Sequence, residues 1–302
     1  MNLTTNISII VFSKDRPLQL KGYLESLLYF TKIDPSSITV LYKYTSKIDY
    51  QKLIEDFSQI IWIKEESFFS DLLQVIYRSN KYIMFGCDDV VFKDHIDLPF
   101  ALSLLAMNEN IFGFSARLGE NICPLPKEIQ RLNGYLQWNW QSTDAPNWNY
   151  PWELDATIYR KTDIMEIVSM LEPETINNPN FFEGEIAKCP EKYVAKKELA
   201  SFGEGKCIVL TINRVQDDFL NDYDHTSNTD IETLNDLYKD GVTIDFISIS
   251  KKKNDSIHVG IEFFKLKRNK RSYRPLKLYF PIYGKRFFVS SKKLIKKLIG
   301  RT

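Results

Sequence analysis

Continuous apolar runs of strand length alternate with amphipathic stretches through the first third of the chain. The first run is ISIIVF, Ile7 to Phe12, followed by the loop SKDRP. Apolar positions at helical spacing then run from Pro17 to Phe30, with proline in the first turn, where its missing N–H costs nothing. ITVLYKY, IIWIKE and YIMFGC repeat the strand theme, and helical periodicity over Asp49 to Phe57 and Ser67 to Ser79 separates them. Strands alternating with helices of this length predict an α/β fold with a parallel sheet and helices on both faces. Ligands of such sheets bind outside the carboxyl ends of the strands.

The alternation stops after IFGFSAR, Ile111 to Arg117. A loop-like region rich in Pro, Asn and Trp runs on through Pro151. A second ordered block follows. It holds a strand in LDATIYR, a helix from Thr162 to Leu171, the segment NNPNFFEGEIAKC and a strand from Cys207 to Arg214. A helix from Asp230 to Tyr238, stopped by Gly241, and strand-like VTIDFISI and SIHVGIEFF complete it. Residues 1–264 are expected to form one domain and 265–302 a basic C-terminal appendage.

Composition narrows the class. A chain of 302 residues, 44% hydrophobic and 26% charged, lies in the globular range. No run approaches the roughly 18 apolar residues of a spanning helix, and the polar start MNLTTN leads directly into a strand, so a cytoplasmic protein is expected. Cys87, Cys123, Cys189 and Cys207 are widely spaced with no CxxC pair, which indicates neither a disulfide framework nor a zinc site. FGEGKC lacks the P-loop ending, and no GxSxG is present to support a serine hydrolase.

The net charge of +1 conceals a division, for residues 251–302 carry 17 Lys or Arg against two acids. In the tail, Leu294, Ile295, Leu298 and Ile299 recur at helical spacing opposite Lys292, Lys293, Lys296 and Lys297. Upstream, KLKRNKRSYRPLK adds polybasic charge. The pattern suits an anionic membrane surface at its cytoplasmic face. The tail's aromatics show no recognisable RNA-binding pattern, so no nucleic-acid partner is expected.

The chemistry is concentrated in YIMFGCDDVVFKD. Asp88 and Asp89 stand together at the end of a strand that reads as buried, where like charges repel and resist desolvation. Turn or helix-cap aspartates would be the plain explanation. A bound cation is the other: Mn²⁺ or Mg²⁺ takes hard oxygen ligands, and one carrying a diphosphate needs only one or two carboxylates from the protein.

ISIIVFSKDRPLQLKGYLESL and YIMFGCDDVVF resemble the opening strand, loop and first helix, and the DxD-bearing strand end, of the GT-A glycosyltransferases, family 2-like members in particular. The likeness spans roughly residues 7 to 190. It implies a Rossmann-like GT-A mixed sheet, a nucleotide-sugar donor with UDP favoured, and a saccharide or lipid-linked acceptor. It also implies metal binding by Asp89, with Asp88 near the metal or the ribose. Cys87 stands where the family usually has its first acid, and YKYTS where it commonly has a nucleotide-contacting acid at the end of the second strand.

Ser13, Lys14, Asp15 and Arg16 follow the first strand, near the expected nucleotide pocket, and a guanidinium suits a base or a phosphate. Transfer to a hydroxyl with inversion needs a general base. The resemblance places it near a helix start in the second block, where Glu183 is favoured, Glu185 is the alternative and Asp155 the outsider. Trp138, Trp140, Trp148 and Trp152 either form an acceptor wall or pin a long loop to the core. His225 is a candidate third metal ligand, and Asn213, Arg214 and Gln216 are candidate contacts to diphosphate or acceptor. The resulting expectation is a metal-dependent sugar transferase. A non-catalytic, membrane-associated sugar-binding or scaffold protein with a degenerate site is the alternative.

Overall fold

The computed structural model describes residues 6–45, 48–213 and 229–268. The alternation read from the sequence becomes β1 (Ile7–Lys14), α1 (Pro17–Thr31), β2 (Ile38–Lys43), α2 (Gln51–Asp56), β3 (Ile61–Lys64), α3 (Phe68–Arg78) and β4 (Tyr82–Cys87). Then come β5 (Val90–Phe92), α4 (Leu98–Met107), β6 (Ile111–Ser115), β7 (Gln130–Leu132), β8 (Tyr135–Asn139), β9 (Thr157–Arg160) and α5 (Lys161–Ser169). The described chain continues with α6 (Pro179–Lys188), α7 (Pro190–Tyr193), β10 (Glu198–Ser201), β11 (Cys207–Leu210) and α8 (Ile231–Lys239). It closes with β12 (Val242–Ile244), α9 (Phe246–Ser250), β13 (His258–Val259) and β14 (Leu266–Arg268).

Nine strands form one sheet in the order β3-β2-β1-β4-β9-β6-β10-β8-β7. The first four are parallel, whereas β9 runs antiparallel to both neighbours, β4 and β6. The sheet is therefore mixed. Consecutive residues Ile9, Ile10, Val11 and Phe12 of β1 are all buried, so layers cover both faces. Right-handed crossovers account for the layers: β1 to β2 to β3 steps one way and β3 to β4 returns, which puts α3 opposite α1 and α2. The reversal falls between β1 and β4, and sheets of this kind bind their ligands outside the carboxyl ends of the strands at such a point.

Several expectations need correction. The region through Pro151 is no continuous loop, because β7 and β8 pair antiparallel across Asn133–Gly134, with Gly134 at φ 91°. The strand in VTIDFISI stops at Ile244, where the Asp245 side chain accepts the N–H of Ser248 and opens α9. In SIHVGIEFF only His258 and Val259 are strand.

The four tryptophans build no acceptor wall. All four are at most 2% exposed. Trp138 Nε1 donates to the Trp148 carbonyl at 2.8 Å and Trp140 Nε1 to the Lys196 carbonyl at 2.9 Å. Trp152 packs against Phe85, Tyr159 and Phe182. Indole faces buried on both sides hold the segment before β9 to the core.

Candidate active site

The connection after β1 is drawn tight. Asp15 adopts φ 58°, its N–H donates to the Lys43 carbonyl, and its carboxylate accepts the N–H of Thr45 at 2.7 Å and the Thr45 hydroxyl at 3.2 Å. This carboxylate is spent on joining the ends of β1 and β2. Tyr50, just before α2, closes the turn: its hydroxyl lies 2.8 Å from Ser13 Oγ and accepts the N–H of Arg16 at 3.1 Å.

That turn delivers Arg16 to the aspartates. Arg16 Nη1 donates to Asp88 Oδ1 at 3.0 Å and to Asp89 Oδ2 at 2.8 Å, while Nη2 donates to the Asn213 carbonyl at 2.8 Å. A cation for the carboxylate pair is thus supplied by the chain itself. Asp88 is 4% exposed and saturated, because its second oxygen accepts Ser13 Oγ at 2.8 Å and the Lys14 N–H at 3.3 Å. Burial pushes Asp88 up to about 6 against the pull of Arg16, with Asp89 adding to the rise. Burial also opposes the charge on Arg16, but the two carboxylates outweigh it and hold the guanidinium above its ordinary range. Room under the motif comes from Gly86, where a Cβ would lie 2.1 Å from the Tyr23 hydroxyl.

Topology places a second group of charges on the same edge. β6 runs parallel to β4, so Arg117 follows its carboxyl end, and antiparallel β9 brings Glu153 and Asp155 in at its start. Glu183 joins from α6, whose first turn is capped by Asn178 accepting the Phe181 N–H at 3.0 Å. Glu183 is half-buried and hydrogen-bonded to the Tyr150 hydroxyl. Burial pushes it up to about 7, with Glu153 and Asp89 adding to the rise and Arg117 and Tyr150 opposing it. Burial, Glu153, Glu183 and Asp89 together hold Asp155 well above the carboxylate range.

The structure therefore joins Ser13, Arg16, Asp88, Asp89 and Asn213 by hydrogen bonds and brings Asp155 and Glu183 within electrostatic reach of Asp89. Glu185 is paired with Lys188 at 3.0 Å. Arg214, Gln216, His225 and the basic tail from residue 269 lie outside the described residues. Sequence reasoning passed over Arg117, Tyr150 and Glu153, which sit in segments without periodicity, and Tyr50, whose role depends on its hydroxyl meeting Ser13.

Among the described residues, no three His, Cys, Asp or Glu side chains are grouped to hold a metal. Asp88, both of whose oxygens already accept hydrogen bonds, does not fit that task. Asp89 does: its side chain is 19% exposed, and its second oxygen accepts no hydrogen bond among the described residues. A cavity of about 630 Å³ lies elsewhere, lined by Ser8, Thr39, Ile61 and Asn80 near the amino ends of the parallel strands.

No protein-family profile matches the chain. Among curated proteins it is similar to the bifunctional glycosyltransferase pgtA of Dictyostelium discoideum, 34% identical over 263 residues that span 74% of this chain. The chain covers 34% of that relative's length. Among solved structures, S. aureus TarS 1-349 superposes with a TM-score of 0.45 at 11% identity, over 66% of this chain and 58% of that one. The mannosyltransferase PcManGT of Pyrobaculum calidifontis, in complex with GDP-Man and Mn²⁺, gives 0.37 at 7% identity, over 58% of this chain and 49% of that one. Structural likenesses of this size say nothing about chemistry. The glycosyltransferase resemblance carried by SKDRP and CDD is thus matched by a curated glycosyltransferase over most of the chain, without singling out family 2.

Proposed function

We propose that this chain is a GT-A-type glycosyltransferase domain. It moves a sugar from a nucleotide-diphosphate donor, UDP favoured, to a hydroxyl of a polysaccharide or glycolipid acceptor. The observation that carries this reading is the placing of Asp89 just after β4, at the sheet's carboxyl edge, with Glu183 within its electrostatic reach and pushed up to about 7. A base balanced near neutral pH can both take and release a proton. Glu183 receives the proton of the acceptor hydroxyl as that oxygen bonds to the anomeric carbon, while the bond from that carbon to the diphosphate oxygen breaks on the opposite side. The configuration is inverted.

Asp89 would hold Mn²⁺ or Mg²⁺ through its second oxygen, and such an ion would neutralise charge on the departing diphosphate. Arg16 and Ser13 fix Asp88, and through Arg16 they fix the orientation of Asp89. One observation favours the non-catalytic alternative, namely the closure of the aspartate pair by Arg16.

Calorimetry separates the two readings. UDP, GDP and CMP, each titrated with and without Mn²⁺, should give metal-dependent binding of one nucleotide, lost in Asp89→Ala. No binding by any of the three would favour the scaffold, and unchanged affinity in Asp89→Ala would remove the metal role from that residue. Membrane association through the basic tail is part of the same reading. Full-length chain should float with anionic liposomes and a chain ending at Phe264 should not; equal flotation would end that part.

A further inference from the structure

The end of the sheet away from Asp88 and Asp89 holds the cavity of about 630 Å³, a volume usual for small-molecule sites. Ser8 lines it at the start of β1, whereas Ser13, bonded to Asp88, lies near the other end of the same strand. At about 3.3 Å per residue the two positions are roughly 17 Å apart. A small ligand in this cavity cannot touch the aspartates.

Register and helix path explain the opening. Pairing sets Ile10 beside Thr39, Thr39 beside Ile61 and Leu41 beside Ile63, so Ser8, Thr39, Ile61 and Ile63 lie on one face of the sheet. Helix α3 leaves the edge strand β3 and crosses that face toward β4. Asn80, just beyond the helix, ties its end to β1: its N–H donates to Ser8 Oγ at 2.9 Å and its Nδ2 to the Ile7 carbonyl at 3.2 Å. The start of β3 is left uncovered, and Ile61 is 51% exposed. Ile61, Ile63 and Val75 of α3 give the cavity an apolar wall.

The charge lies on the rim. Lys32, at φ 55° where α1 ends, holds Nζ 4.5 Å over the ring of Tyr29, and Arg78 stands in the last turn of α3. Both line the cavity, and neither is paired with an acid among the described residues. Asp34 is the one acid lining it, and its Oδ1 accepts the N–H of Ser36 at 2.9 Å and the Ser36 hydroxyl at 2.8 Å. That oxygen is spent on the turn into β2. The hydroxyls of Ser37 and Thr39 also line the cavity and make no hydrogen bond among the described residues.

We propose that this cavity is a second binding site, for a phosphate monoester of a small organic molecule. A phosphate monoester carries close to two negative charges at neutral pH, which two unpaired cations can offset, and guanidinium and ammonium groups both suit its oxygens. Lys32 and Arg78 take the phosphate, Ser37 and Thr39 donate to oxygens of the ligand, and Ile61, Ile63 and Val75 cover its apolar part. The site is independent of the sugar-transfer reading.

The test is a titration of full-length protein carrying ¹³C at the isoleucine δ1 methyls, with the Ile61 and Ile63 signals identified from Ile61→Val and Ile63→Val. Phenyl phosphate should shift both methyls with one saturating midpoint. Inorganic phosphate, which lacks the apolar part, and phenol, which lacks the charge, should each bind more weakly. Lys32→Gln and Arg78→Gln should each raise the phenyl phosphate midpoint about tenfold or more, the weight of a charge-assisted hydrogen bond. Both side chains are exposed, so neither change disturbs the core. Asp89→Ala should leave the midpoint in place.

Shifts that do not saturate, or a midpoint unmoved in either Lys32→Gln or Arg78→Gln, overturn the proposal. So does phenol or inorganic phosphate binding as tightly as phenyl phosphate. A midpoint that moves in Asp89→Ala assigns the binding to the other end of the sheet and overturns it as well.

Discussion

Arg16→Met is expected to lower the unfolding free energy by about 3–5 kcal/mol at pH 8, the cost of leaving buried charge without its partner. The substitution strands Asp88, 4% exposed, and Asp89 beside it, and leaves the Asn213 carbonyl without its donor. The loss should shrink at pH 5. Asp88 already sits at about 6 with Arg16 in place, and removing the guanidinium moves it higher, so at pH 5 a proton neutralises the stranded group. Urea unfolding at the two pH values measures both parts. A loss below about 1 kcal/mol, or one equal at both pH values, would mean that Arg16 is not the counter-ion of the pair.

Glu183→Gln should reduce turnover by about 10²–10⁴-fold, the usual weight of a general base, and at the same time stabilise the fold above neutral pH. The sign follows from the ordinary glutamate value of 4.5 and the folded value of about 7. Between these values the folded chain binds a proton that the unfolded chain has lost, so stability falls as pH rises from 4.5 to about 7 and stays reduced above it. Glutamine carries no such penalty. Thermal unfolding at pH 8 should therefore show the variant a few degrees above the parent, with the two converging near pH 4. Retained turnover would remove Glu183 from the mechanism, and an equal gain at pH 4 would assign the stabilisation to packing instead.

The two variants weigh opposite costs at one edge of the sheet. Arg16 is a cation whose removal exposes the expense of burying acids, and Glu183 is an acid whose burial already costs stability. Such placement is hard to explain as core packing, since hydrophobic residues would fill the same volume without desolvation. It is what a site needs if protons and anions are to be handled at neutral pH.

Residues 7 to 87 were largely legible because parallel strands covered on both faces read as unbroken apolar runs, and their connecting helices carry amphipathic periodicity. β1 and β4 match their predicted runs closely, while α2 and α3 each start and stop a residue or two inside the expected range. β7 and β8 escaped notice because short strands at a sheet edge leave little pattern, and β7 is exposed throughout. VTIDFISI misled because its β-branched residues suit a strand, while Asp245 supplies a helix cap in the middle. The indoles of Trp138 and Trp148 could serve a sugar or a core equally well by composition. Their mutual packing at 4.8 Å decided for the core.

By itself the sequence determined the parallel half of the sheet, the position of Asp88 and Asp89 at a strand's carboxyl end, and the presence of acids at a later helix start. These depend on local periodicity and on order along the chain. Tertiary structure alone decided that Arg16 is the partner of the aspartates, that β9 enters between β4 and β6, and that Arg117, Glu153, Asp155 and Glu183 share one environment. Charge pairing and desolvation depend on distance and burial in space, and neither is written in the spacing of residues along a chain.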